Sequence, residues 1–84
     1  MINLNKFVLG QVEYKLNKYN IMDFLKTVEK TTNILWQTGT KPTKFIPEFE
    51  DYVYISVVGV YKNKPALAYT INPDLINLND VEEY

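Results

Sequence analysis

The chain is predicted to be α+β, with one helix packed on a three- or four-stranded, mostly antiparallel sheet in β-α-β-β order. Three observations predict this: period-two alternation over residues 8–16, an apolar helical face over 21–37, and two apolar runs over 52–71 joined by a turn. With 84 residues there is material for a single domain, residues 1–84, built on one core.

The first strand is expected over 8–16, with Val8, Gly10, Val12, Tyr14 and Leu16 on one side and Leu9, Gln11, Glu13 and Lys15 on the other. A helix using Leu4, Phe7, Val8, Val12 and Leu16 competes for the same segment. Gly10 in its middle would cost that helix roughly 1 kcal/mol relative to alanine, so the strand is preferred. A polar break at 17–20 follows. Asn20 and Asp23 have the spacing of a capping box. Beyond it, Ile21, Phe24, Leu25, Val28, Thr32 and Leu35 share one helical face, and Gly39 is the expected stop.

Residues 38–51 read as a linker with two prolines and the apolar side chains of Phe45, Ile46 and Phe49. Loops of this length are uncommon in compact domains unless they serve function. The hairpin is expected to turn at Asn63 and Lys64, which would place Val60 opposite Leu67, Val58 opposite Tyr69 and Ser56 opposite Ile71. In that register the small residues Gly59, Ala66 and Ala68 form a trough for the helix, since cores match large to small. Tyr52, Tyr54, Val58, Val60, Leu67, Tyr69 and Ile71 would then share the opposite face. Either the chain's ends and long loop cover that face or it is an interface. In the tail, Asn72, Pro73 and Asp74 suggest a turn and 75–78 a short edge strand before an acidic end. The tetrapeptide INLN occurs at both ends of the chain, which the abundance of its residues explains.

Composition narrows the chemistry. There is no cysteine and no histidine, and all nine basic residues are lysine. Disulfides, thiolate and imidazole metal sites, the commonest general base and guanidinium clamps are therefore excluded. The acidic clusters Glu48/Glu50/Asp51 and Asp80/Glu82/Glu83 lack the spacing of a calcium loop, so they read as solvated segments or as a rim for a basic surface. No motif calls for a metal or a cofactor. Net charge is −1, and without arginine Lys41, Lys44, Lys62 and Lys64 make a weak phosphate-contacting edge, which argues against nucleic acid as a partner. No run approaches the roughly 20 apolar residues of a membrane span, and the N-terminal apolar run is too short for a signal peptide. The expected location is the cytoplasm of a host cell, and no membrane partner is expected. The bias toward Lys, Asn, Ile and Tyr is that of AT-rich coding, which suits a low-GC bacterium or its phages and plasmids.

The leading expectation is a small non-enzymatic protein-binding module, encoded by a phage or other mobile element, that inhibits a host protein by steric occupation. Its contact residues would be Tyr52, Tyr54, Tyr69, Val58 and Leu67 on the hairpin, Phe45 and Phe49 on the loop, and Trp36, with Glu48, Glu50 and Asp51 as a charged rim. For Trp36 the first expectation is packing on Pro42, Phe45 or Pro47, and the contact role in a partner's pocket is the alternative. Two alternatives use the same face: a self-assembling structural or accessory protein, possible in a virus, that closes a homo-oligomer, and single-stranded nucleic-acid binding by stacking on the tyrosines.

Overall fold

The computed structural model describes residues 2–72 and 80–84, with the backbone alone at 59–61. In chain order the elements are α1 (Leu4–Val8), β1 (Val12–Leu16), α2 (Ile21–Thr31), a 3-10 turn (Pro42–Lys44), β2 (Val53–Tyr61), β3 (Lys64–Thr70) and β4 (Asp80–Glu83). The α+β class holds, and the sheet is four-stranded and mixed. Its order is β3-β2-β1-β4, with β1 antiparallel to β2, β2 antiparallel to β3, and β4 parallel to β1. The edge strand expected at 75–78 and most of the turn before it lie outside the described residues.

The strand expected over 8–16 begins only at Val12, because the competing helical period governs the residues before it. Asn3 caps α1 by accepting the Lys6 N–H at 3.2 Å. Gly10, in the left-handed region at φ 73°, ends it. The Gly10 N–H reaches the Phe7 carbonyl at 3.0 Å and the Gln11 N–H reaches that of Lys6 at 2.9 Å, the paired bonds of a Schellman motif. A Cβ at Gly10 would lie 2.6 Å from the Val57 carbonyl oxygen, so glycine also admits the backbone of β2.

The main helix is shorter than its apolar periodicity suggests and stops at Thr31. The hydroxyls of Thr31 and Thr32 bond back to the Thr27 and Val28 carbonyls at 2.6 and 2.8 Å, and Thr32 is extended. The next residues run beside β3, where the Leu35 carbonyl accepts the Leu67 N–H at 2.8 Å. Gly39, with φ 85°, closes a turn onto the Trp36 carbonyl and does not stop the helix. The capping box is likewise absent: the Asn20 side-chain oxygen accepts the N–H of Asn17, and Asp23 accepts the Tyr84 hydroxyl at 2.9 Å.

The hairpin departs most from its expected geometry. It turns at Lys62 and Asn63, both at positive φ (51° and 65°), as a two-residue turn compatible with strand twist requires. The register then shifts between Val57 and Gly59, so Val57 pairs with Leu67, Ser56 with Ala68, Ile55 with Tyr69 and Tyr54 with Thr70. A net odd shift reverses which β3 residues accompany which β2 residues. Val53, Ile55 and Val57 keep the helix side that the alternation of β2 gives them. Leu67 now joins them there with Val12, Tyr14 and Leu16, beneath Ile21, Phe24, Leu25 and Val28 of α2. The helix rests on this large-residue face and not on Gly59, Ala66 and Ala68.

Both chain ends close on the helix side. Phe7 lies between Tyr14 and Phe24 at centroid distances of 5.8 and 5.6 Å, and the Tyr84 ring meets Phe24 edge-on at 5.3 Å. The Tyr14 hydroxyl accepts the Asn3 N–H at 2.6 Å. The Cα radius of gyration is 11.5 Å, matching the roughly 12 Å expected of a compact domain this size. No described helix is long and apolar enough to cross a membrane.

Candidate functional site: an acidic, aromatic groove

The segment from Pro42 to Asp51 is held down near its start by hydrogen bonds and farther on by packing. The Trp36 indole N–H donates to the Pro42 carbonyl at 3.1 Å. A Glu29 carboxylate oxygen accepts both the N–H and the hydroxyl of Thr43, at 3.1 and 2.8 Å. Those bonds hold the Glu29 carboxyl below the ordinary carboxylate range, backbone bond first, and Lys41 and Lys44 add to the effect. The chain leaves the 3-10 turn extended at Phe45; farther on, Pro47 is buried and Phe49 packs against the core. Alternation turns Glu48 and Glu50 to solvent on either side of Phe49. After a bend at Glu50 and Asp51 the chain enters β2, whose inward residues Val53 and Ile55 leave Tyr52 and Tyr54 on the sheet face away from α2.

These two alternations meet in a groove of about 650 Å³. Phe49, Tyr52, Tyr54 and Ile71 supply apolar surface, and Glu48, Glu50 and Asp51 supply charge. Tyr52 is 45% exposed. No side-chain hydrogen bond or ion pair among the described residues engages the three carboxylates. Lys15, paired with Tyr54 across β1 and β2, sets its ammonium 4.0 Å from the Tyr52 ring centroid and 3.8 Å from a Glu83 carboxylate oxygen. Farther along the same sheet face Glu13 and Ser56 are buried, so the open part is the end bearing Tyr52 and Tyr54.

The other expected contact residues lie elsewhere. Tyr69 pairs with Ile55, which puts it on the helix side of the sheet and separates it from Tyr52 and Tyr54. It forms a ring cluster with Trp36 and Phe45, at centroid distances of 5.3 to 5.9 Å, beside a hollow of about 270 Å³. Trp36 is only 3% exposed and Leu67 only 1%, so both are core, and Trp36 takes its packing role against Pro42 and Phe45. Phe45 and Tyr69 form the exposed rim of that cluster. Val58 stands apart at the register shift, sharing a hollow with the exposed Leu9.

Reasoning on the sequence missed Lys15 as a neighbour of the tyrosines, because that contact depends on how β1 pairs with β2. Among the described residues no group of three or more carboxylates converges to hold a metal ion. The groove offers hydrogen-bond acceptors, negative charge and aromatic faces. No protein-family model matches the chain, and no curated protein or solved structure matches it.

Proposed function

We propose that the protein is a non-enzymatic protein-binding module that acts by steric occupation, with the groove at Tyr52 and Tyr54 as its contact surface. One observation carries this reading: half-exposed aromatic surface and three carboxylates that no described side chain pairs line one concavity. Tyrosine suits such a place because it tolerates water before binding and loses little side-chain freedom on burial. The Lys- and Asn-rich, arginine-free composition supports a phage or mobile-element protein that inhibits a host protein in the bacterial cytoplasm.

Single-stranded nucleic acid suits the groove less well, since three carboxylates would face its phosphates. A second reading, homo-oligomer formation, is favoured by Leu9 and Val58, two exposed aliphatic residues lining one hollow.

The test is affinity capture from a low-GC bacterial extract with the tagged wild-type protein and a Tyr52→Ser/Tyr54→Ser variant. The wild type should retain a discrete host protein and the variant should lose it. Equal recovery by both would show that contact is made elsewhere.

A further inference from the structure

We infer that the occupant of the groove is a segment of the partner protein that carries lysine or arginine beside an apolar residue. This rests on the reading of the groove as a protein-contact surface and adds the chemistry of the contacting segment.

The carboxylates are placed by the fold. Burial of Pro47 and the packing of Phe49 force Glu48 and Glu50 outward, and the bend into β2 adds Asp51 to the same wall. No cation among the described residues pairs with any of the three. Their field is thus left to a cationic partner, which it would steer into register and which an acidic partner would not survive.

Apolar surface beside that wall sets the second requirement. Phe49, Tyr52 and Ile71 offer area that a lysine-only segment would leave wet, with Tyr52 and Ile71 at 45% and 59% exposure. The volume, about 650 Å³, lies within the roughly 300–1,000 Å³ of ligand sites and admits side chains of both kinds. Tyr52 also displays the expected chemistry within the molecule, because the Lys15 ammonium rests over its ring at 4.0 Å. A partner cation reaching the adjoining Tyr54 and the acidic wall would repeat that pairing.

The test uses fluorescence anisotropy with a fluorescein-labelled peptide, Gly-Lys-Ile-Lys-Trp-Lys-Gly, and two counterparts with glutamate for lysine and serine for the apolar pair. The lysine peptide should bind the full chain, the glutamate peptide should not, and the serine peptide should bind more weakly. Glu48→Gln/Glu50→Gln/Asp51→Asn should weaken the lysine peptide on the order of tenfold without lowering the melting temperature. Raising salt from about 50 to about 500 mM should weaken the wild type more than this variant. Equal binding of lysine and glutamate peptides, or no binding of either, overturns the inference. Binding lost in Tyr52→Ser/Tyr54→Ser but indifferent to the carboxylates also overturns it, while leaving the groove as a contact surface. Sedimentation velocity provides the remaining arm: a dimer abolished by the tyrosine substitutions would assign the groove to a second copy of the chain.

Discussion

Tyr14 on β1 and Tyr52 at the entrance to β2 carry the same side chain into opposite settings. Tyr14 is fully buried, with its ring against Phe7 and Phe24 and its hydroxyl accepting the Asn3 N–H. Tyr52 is half exposed, with Lys15 on one face of its ring and carboxylates at its flank. Strand parity explains the difference. Residues in step with Val12, Leu16, Val53 and Ile55 meet α2 and both chain ends, and those out of step meet the other side of the sheet. The two aromatic groups therefore answer to different forces, close packing in one and partner contact in the other.

The closed group should break most severely. Phe24 touches the rings of Phe7, Tyr14 and Tyr84, so Phe24→Ala should cost about 3–5 kcal/mol, close to the whole stability of a small domain. Urea denaturation followed by circular dichroism should find it largely unfolded. Gly10→Ala should cost less, on the order of 1–2 kcal/mol, through its positive φ and the approach of the Val57 carbonyl. Its melting temperature should fall by roughly 4–8 °C for each kcal/mol lost.

A smaller effect is expected where the long loop is tied to α2. The folded Glu29 carboxyl is held below its ordinary value, so its stabilising contribution is present above that ordinary value and is lost as pH falls through the lowered one. The stability difference between wild type and Glu29→Gln should favour the wild type at neutral pH and shrink on acidification. Urea midpoints measured across that range check it. A difference that grows toward low pH would reverse the sign.

What could be read from the sequence follows from where the determining contacts lie. The α2 helix and the two hairpin strands are visible because their periodicity is local. The contact residues Glu48 to Tyr54 are visible as a consecutive acidic and aromatic run, but the bend at Glu50 and Asp51 and the approach of Ile71 that shape the groove are not. Tyr69 lies on the other face because the one extra residue at Val58 reverses the face of β3, and that bulge carries no strong local signal. The earlier turn shifts the register by two and leaves the faces unchanged. Gly10 ends a helix where the sequence suggests it opposes one, because residues 8–16 satisfy both periods and the Val57 carbonyl, from a distant strand, requires a glycine there. The parallel pairing of β4 was beyond reach as well. Its acidic residues have little strand preference, and the C-terminal Tyr84 is held through Phe24, Asp23 and Thr27.

The central claim is that the aromatic residues of the groove serve contact and those under α2 serve the fold. Thermal melts of Tyr14→Ser and Tyr52→Ser/Tyr54→Ser, run side by side, test it most directly. Tyr14→Ser should lose about 3 kcal/mol or more, and the double variant should stay within about 1 kcal/mol of the wild type. A double variant that collapses as far as Tyr14→Ser would contradict the account and make the groove tyrosines part of the core.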